Sequence, residues 1–235
     1  MLKTIISALL GIFLFISCSG KSERENFEIG LKYYTENDYI KAEKYLKKAG
    51  SFENGIGLNY LGNIYLAKNE NKLAEKYYKS AIDSGNTTAI KNLAYLYTMQ
   101  EKLEPAKKYY NMYLLVEPND IVSKTNLGAI YFMEKNYQLS EKYYKESIAD
   151  GSETALNDLA VLYHEQKIWD LAEKYYKLAI EAGNIEAITN LGDCYFEQKK
   201  YRLAKEYYEM NLENENNNKK VEILNNLEEI KKMGY

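Results

Sequence analysis

The sequence predicts an all-α fold, a solenoid of about six helix-turn-helix repeats followed by a C-terminal capping helix. Three observations support this prediction. The stretch LAEKYYK occurs at Leu73–Lys79 and again at Leu171–Lys177, and related stretches occur at near-constant intervals. Only two prolines and 13 glycines interrupt 235 residues. Self-similarity with a period of roughly 20–50 residues indicates stacked supersecondary units, each of which buries its apolar face against the next.

The first 17 residues have the pattern of a secretory signal peptide. Lys3 precedes an apolar run from Ile5 to Ile16, which ends in small residues. A membrane-spanning helix needs about 20 residues, so this run is too short to span. A charged start, a short apolar stretch and a small-residue exit are typical of a cleaved leader. We therefore expect residues 1–17 to be removed.

The exit from this run, Phe15-Ile16-Ser17-Cys18, resembles the lipobox of bacterial lipoproteins, with Phe15 at a position where Leu is usual. The resemblance implies that Cys18 is lipidated, becomes the first residue of the mature chain and anchors it to a membrane. The alternative is ordinary cleavage after Ser19, which discards Cys18 and leaves the protein unanchored. Residues 18–26 are polar, lack apolar periodicity and are predicted to form a tether.

Six repeats are predicted over residues 27–212. Each contains a copy of the repeated stretch with a small residue at a fixed position, at steps of 32 residues and one step of 34; these residues are Ala42, Ala74, Ala106, Ser140, Ala172 and Ala204. Thirteen residues before each small residue, a second motif begins with Ile29-Gly30, Leu61-Gly62, Leu93-Ala94, Leu127-Gly128, Leu159-Ala160 or Leu191-Gly192. A Tyr follows four residues after each Leu or Ile, a spacing that places both side chains on one helix face.

The Gly or Ala in the second motif predicts close packing between the two helices of each repeat. A Gly such as Gly62 costs a helix about 1 kcal/mol relative to Ala, so its recurrence needs a structural reason. We expect Ala74, the small residue of the second helix, to be its packing partner. Between repeats, Gly85-Asn86, Gly151-Ser152 and Gly183-Asn184 each predict a left-handed helix end followed by a side-chain cap.

Two further features concern the surface and the C-terminus. Glu–Lys pairs four residues apart, at Glu43/Lys47, Glu75/Lys79, Glu141/Lys145 and Glu173/Lys177, are interpreted as a solvated outer face. Residues 213–235 begin with a polar break. They continue with Val221, Ile223, Leu224, Leu227 and Ile230, an apolar stripe that predicts a closing helix over 219–233.

The paired motifs resemble the tetratricopeptide repeat, and the 32-residue junctions AIDSGNTTAIKNLAYLY and AIEAGNIEAITNLG are more similar to the Sel1-like repeat. The resemblance covers about residues 26–212. It implies a right-handed solenoid whose first helices line a concave groove for a peptide or a partner helix. It does not identify the ligand, because these families share a scaffold rather than a partner.

Carried onto this sequence, the resemblance predicts a largely uncharged groove with an apolar centre at Ala129, Phe132 and Val161. The predicted lining residues are Asn59, Asn63, Lys91, Tyr95, Thr125, Ala129, Phe132, Asn157, Val161, Thr189 and Asp193. The alternative interpretation is that these are ordinary solvent-facing positions.

Composition and motifs favour a binding protein over an enzyme. The chain carries 31 basic and 34 acidic residues, without the basic excess of a nucleic-acid binder. His164 is the only histidine, so a histidine-based metal cluster is excluded, and no cofactor motif occurs. Cys194 replaces an apolar residue of the repeat and is expected to be buried and unreactive.

We therefore expect a non-catalytic interaction scaffold of the bacterial cell envelope. Through Cys18 it would be anchored to the outer membrane or to the periplasmic face of the inner membrane. The alternative is an unanchored periplasmic or secreted interaction protein. Neither alternative requires a cofactor or a nucleic acid.

Overall fold

The computed structural model describes residues 22–212 and 219–235, and every helix or strand within these ranges is an α-helix. The helices are α1 (22–35), α2 (Tyr39–Ala49), α3 (Phe52–Ala67), α4 (Asn71–Asp83), α5 (Thr88–Met99), α6 (Leu103–Leu114), α7 (Ile121–Met133), α8 (Tyr137–Ala149), α9 (Thr154–Glu165), α10 (Trp169–Glu181), α11 (Ile185–Glu197), α12 (Tyr201–Leu212) and α13 (Lys220–Lys232). The predicted all-α repeat solenoid is confirmed. Helices α1 to α12 pair consecutively into hairpins 1 to 6, and α13 closes the described chain.

The chain divides after Pro118 into two compact units. Unit 1 contains hairpins 1 to 3, and unit 2 contains hairpins 4 to 6 and α13. Within each unit, the second helix of a hairpin packs on the first helix of the next, and first helices of successive hairpins also touch. None of the described helices combines the length and the apolar character needed to cross a membrane.

The small residues at the fixed position of each repeat form the centre of each hairpin. All six, from Ala42 to Ala204, have no solvent-exposed surface. In hairpin 4 the residue is Ser140, whose buried hydroxyl donates to the carbonyl oxygen of Gly128 at 2.8 Å. This bond satisfies the hydroxyl group that stands where the other repeats have an alanine methyl group.

In hairpins 2, 4 and 6 the side chain nearest to the glycine of the second motif is a tyrosine ring rather than the predicted small residue, which is Ala74 in hairpin 2; in hairpin 1, Gly30 faces Leu46. A Cβ built on Gly62 would lie 2.4 Å from the ring of Tyr78, and Gly128 and Gly192 face Tyr144 and Tyr208 in the same way. Each Tyr lies four residues after the small residue, one turn along the same helix face. The small residue brings the helices together, and the glycine makes room for the ring.

The predicted helix ends between repeats are confirmed. Gly85, Gly151 and Gly183 have left-handed φ angles of 92°, 101° and 88°. The following residues cap the next helices: Asn86 Oδ1 accepts from the amide of Ala89 at 2.9 Å, Asn184 Oδ1 from that of Ala187 at 3.0 Å, and Ser152 Oγ from that of Ala155 at 3.2 Å.

Two predictions near the chain ends are corrected. Residues 22–26, assigned to the tether, belong to α1, where the Arg24 guanidinium pairs with Glu28 at 3.1 Å one turn later. In α13, Val221 and Leu224 are 74% and 48% exposed, because Ile223 and Ile230 form the buried face. The predicted signal peptide, Cys18 and the polar break at 213–218 lie outside the described residues.

Candidate functional site

The predicted groove residues lie on the first helices, divided between the two units. In unit 1, Tyr95 on α5 is 47% exposed, and Met99 one turn later is 56% exposed. The Lys91 ammonium lies 4.9 Å from the centre of the Tyr113 ring, and Asn63 Oδ1 accepts from the Tyr78 hydroxyl at 2.8 Å. The open surface of unit 1 around Tyr95 and Met99 is therefore partly apolar, with the Lys91 ammonium one turn before Tyr95.

Three predicted lining residues, Asn59, Asn157 and Thr189, are buried between helices, so their assignment to an open surface is corrected. Asn59 Oδ1 accepts from the side-chain amide of Asn92 at 2.8 Å, and Asn157 Oδ1 accepts from that of Asn190 at 3.1 Å. Thr189 is bonded to Asn211. Their polar atoms hold successive helices together and are not available to a ligand.

In unit 2, helices α7, α9 and α11 form a surface that we term the unit 2 face, defined by Ala129, Met133, Val161, Glu165 and Glu197. Ala129 and Val161 are half-buried, and Met133 is 51% exposed.

The remaining predicted residues of unit 2 are engaged in packing or bonding. Thr125 shares a 2.6 Å hydrogen bond with Ser147. Phe132 packs its ring 6.1 Å from that of Tyr137, and Asp193 Oδ1 accepts from the Tyr208 hydroxyl at 2.7 Å. The apolar centre predicted from sequence is therefore carried at the surface by Ala129 and Val161, extended by Met133.

A cavity of about 200 Å³ lies on the unit 2 face between α9 and α11, lined by Val161, His164, Glu165, Lys167 and Glu197. Within it, His164 Nδ1 lies 3.2 Å from the Tyr176 hydroxyl, and its Nε2 lies 3.4 Å from Glu197 Oε1. The imidazole thus links the two hairpins that bound the cavity.

Two carboxyl groups of unit 2 are held in a poorly solvated environment. Burial, reinforced by the nearby Glu186, raises the pKa of Asp158 to about 6. Burial also raises the pKa of Asp193, although the hydrogen bond from Tyr208 partly opposes the shift.

Two kinds of reactive site can be checked directly among the described residues, a metal cluster and an activated thiol. No group of three or more His, Cys, Asp or Glu side chains within 22–212 and 219–235 is placed to hold a metal ion. Cys194 is fully buried, and burial raises the pKa of its thiol to about 11, so it is not an activated nucleophile. The open surfaces suit binding.

Sequence reasoning missed a contact that recurs between hairpins. Tyr65 donates to Glu43 at 2.7 Å, Tyr97 to Glu75 at 2.9 Å and Tyr163 to Glu141 at 2.9 Å. Each Glu lies one residue after the small residue of one hairpin, and each Tyr belongs to the next hairpin. The same Glu side chains pair with Lys on their own helices, as predicted. The sequence feature that indicates this contact is the constant 22-residue separation of the Glu and the Tyr.

Comparison with protein families identifies two of these hairpins as known repeats. The family model described as Tetratricopeptide repeat matches residues 58–84 and 185–210, which correspond to parts of hairpins 2 and 6. These two segments are therefore similar to tetratricopeptide repeats. No curated protein sequence matches it.

Solved structures share the fold at low sequence identity. A tetratricopeptide repeat protein from Parabacteroides merdae has a TM-score of 0.73 and 22% identity, over 92% of this chain and 94% of that one. PilF from Pseudomonas aeruginosa has a TM-score of 0.70 and 18% identity, over 82% and 91%. The protective antigen c5321 of uropathogenic Escherichia coli, described as having an SLR fold, has a TM-score of 0.69 and 22% identity, over 93% and 51%. These likenesses establish the fold alone.

Proposed function

We propose that this protein is a non-catalytic interaction scaffold of the bacterial cell envelope, which holds a peptide or a partner helix on its first-helix surfaces. The observation that carries the proposal is the contrast between packed and open surfaces. The hairpins bury the small residue at the fixed position of each repeat completely, and the tyrosine four residues after it is buried in hairpins 2 to 6, yet Tyr95 and Met99 in unit 1 and Met133 in unit 2 remain half exposed. An exposed apolar surface on a rigid repeat scaffold is typical of protein recognition.

The envelope location rests on the N-terminal sequence. A signal peptide over residues 1–17 followed by a lipobox-like Cys18 would place the mature protein on a membrane, in either the outer membrane or the periplasmic face of the inner membrane. Stable anchorage needs two or more acyl chains, which bacterial lipoprotein processing would supply. Cleavage after Ser19 would instead release an unanchored periplasmic or secreted form of the same scaffold.

Partner binding is tested by crosslinking and pulldown from native membranes with the double variant Ala129→Glu and Val161→Glu. We expect this variant to lose partner capture while its helical circular dichroism is retained, because both carboxylates would enter the apolar part of the unit 2 face. The matched control is Leu178→Glu with Leu203→Glu, two partly exposed positions on second helices. Undiminished capture by the first variant would contradict the proposed binding surface.

The anchor is tested separately by intact mass spectrometry of protein purified from native membranes. We expect a chain that begins at Cys18 with the added mass of acyl chains. A chain that begins after Ser19 without added mass would establish the unanchored form and exclude lipidation.

A further inference from the structure

We propose that the unit 2 face recognises a protein segment in which basic residues alternate with apolar ones. This inference rests on the proposed function, because it specifies the chemistry of the partner on the same surface. The inference requires three properties of the unit 2 face: an apolar contact surface, carboxylates beside it, and too few basic side chains of the protein to neutralise those carboxylates.

The apolar part lies across the neighbouring helices α7 and α9. Ala129 and Val161 occupy equivalent positions in hairpins 4 and 5 and are half-buried, and the flexible side chain of Met133 lies half exposed one turn beyond Ala129. Methionine adapts to irregular partners because its unbranched chain has three rotatable bonds. This part of the face can accept an apolar side chain.

The charged part adjoins Val161. Glu165 and Glu197 line the cavity between α9 and α11 together with Lys167, so two carboxylates face one ammonium group. The imidazole Nε2 of His164 lies 3.4 Å from Glu197 Oε1. Within the described residues, Glu165 forms no ion pair. A basic side chain entering this cavity would meet uncompensated negative charge.

Further carboxylates extend the negative surface along α9 and α11. Asp158 lies on α9 one turn before Val161, and the charged group that acts on it is another carboxylate, Glu186. Glu186 itself has the Lys219 ammonium at 3.8 Å. An ammonium or guanidinium group from a partner near Glu186 would reduce its repulsion with Asp158 further than Lys219 does.

The carboxylates of the unit 2 face differ from those of the second helices and from the equivalent positions in unit 1. On second helices, Glu43, Glu75 and Glu173 each pair with a Lys of the same helix at 2.6–2.7 Å. In the first helices of unit 1, the positions equivalent to Glu165 and Glu197 hold Ala67 and Met99. Unit 2 therefore carries carboxylates beside open apolar side chains at positions where unit 1 carries uncharged residues, which favours a basic, partly apolar segment and disfavours nucleic acid or anionic lipid.

The test measures binding of fluorescein-labelled nine-residue peptides to the full-length protein by fluorescence anisotropy. One peptide alternates Leu and Lys, and its counterparts carry Glu or Gln in place of Lys. We expect only the Lys peptide to bind well, with an affinity that falls as sodium chloride is raised. The double variant E165Q/E197Q should weaken it about 3- to 10-fold, the order expected for two partly exposed ion pairs.

The matched control is E206Q/E209Q, which removes the same charge from exposed positions on α12 and should change the affinity less than about 2-fold. Equal binding of the Glu or Gln peptide, equal loss in the control, or no binding of the Lys peptide would each overturn the inference. If the Lys peptide fails to bind while Ala129→Glu with Val161→Glu still abolishes partner capture, the inference fails and the proposed function stands. If that double variant captures partners normally, the proposed function fails as well.

Discussion

Asp158 occupies a position at which the equivalent first helices carry Asn92, Asn126 and Asn190. Asn92 and Asn190 donate their side-chain amides to an asparagine of the preceding hairpin. An ionised Asp cannot donate, and the residue at the corresponding place in hairpin 4 is Thr125, whose hydroxyl is already bonded to Ser147. Asp158 is therefore a charged residue at a packing position, consistent with the raised pKa of its carboxyl group.

We predict that Asp158→Asn stabilises the protein at neutral pH. The pKa of Asp158 is about 6 in the folded state and 3.8 in a model peptide. As pH rises from about 4 to 6, the unfolded state therefore loses its proton first and the free energy of unfolding falls. A shift of about two units corresponds to at most about 3 kcal/mol, which the variant should recover above pH 7 and not below pH 4. Urea unfolding at pH 4 and pH 7.5 measures the difference.

Asp83→Asn, an exposed change at the end of α4, provides the control for the loss of one charge. The difference in the free energy of unfolding between this variant and the wild type should be small and nearly the same at pH 4 and pH 7.5. An Asp158→Asn variant that is no more stable than wild type at pH 7.5 would contradict the assigned environment.

Gly62 provides a second residue-scale prediction. A Cβ at Gly62 would lie 2.4 Å from the Tyr78 ring, whereas a Cβ at Gly57 in the same helix would meet atoms no closer than 3.7 Å. Both substitutions to Ala gain about 1 kcal/mol of helix propensity, but only Gly62→Ala must displace a ring. We expect Gly62→Ala to be less stable than Gly57→Ala by about 1–3 kcal/mol in thermal or urea unfolding. Equal stability of the two variants would contradict the ring contact.

The sequence showed that Gly62 needs space, but not which side chain takes it. Ala74 and Tyr78 lie four residues apart on one face of α4, so the periodicity places both towards α3. Which of the two side chains lies opposite the glycine depends on the offset of α3 and α4 along their helix axes. That offset depends on packing throughout the hairpin, and it cannot be deduced from the repeat pattern alone.

At the scale of elements, the Tyr–Glu contacts join one hairpin to the next. Glu43 on α2 receives hydrogen bonds from Tyr65 at 2.7 Å and from Lys68 at 2.6 Å, both in hairpin 2. Lys47 of its own helix donates at 2.6 Å. Partial burial raises the pKa of Glu43, but these three donors outweigh it and lower the pKa to about 2.

We predict that Glu43→Gln lowers the free energy of unfolding by about 1–2 kcal/mol at pH 7, because hydrogen bonds to an ionised group contribute more than neutral ones. The pKa of Glu43 is lower in the folded state, so its contribution is present above about pH 4.5 and declines as pH falls towards 2. Denaturant unfolding at pH 7 and pH 3 measures this, and Glu36→Gln, at an exposed position, is the control. A loss of stability that is equal at both pH values would contradict the ionic contribution.

The interpretation of Glu43 and its equivalents as solvated was incomplete. Sequence spacing alone indicates contacts within one helix, but it does not indicate contacts between hairpins. The pair with Lys47 is four residues away, whereas Tyr65 and Lys68 are 22 and 25 residues away. Contacts between hairpins become predictable only after the repeat length and the packing direction are combined.

At the scale of the whole molecule, the fold and the site differ in how far sequence determines them. The hairpins can be predicted because six repeats carry the same residue types at the same positions. Each recurrence reflects the same packing contact between helices. The site depends on departures from the repeat: Asp158 in place of Asn, or Glu165 and Glu197 in place of Ala67 and Met99. Family resemblance selected Asn59, Asn157 and Thr189 as lining residues, but packing against neighbouring helices buries them.

Nearest-neighbour packing leads to a prediction about the C-terminal end of unit 2. Helix α13 packs on α12, and its Ile230 has no exposed surface, whereas Val221 on the same helix is largely exposed. A carboxylate buried at Ile230 would detach α13 and uncover the last hairpin. In a repeat array such a loss propagates from one neighbour to the next rather than unfolding all repeats together.

We therefore expect Ile230→Glu to reduce hydrogen-exchange protection in α12 and α11 first and least in α7 and α8, within the same unit. Val221→Glu introduces the same charge on the exposed face and should leave the protection of these helices close to wild type. Hydrogen-exchange mass spectrometry resolves the helices individually. A uniform loss of protection from α7 to α12 would show that unit 2 opens as a single cooperative block. A graded loss would identify α13 as the element that keeps the final hairpin, and with it the Glu197 side of the cavity, in its folded position.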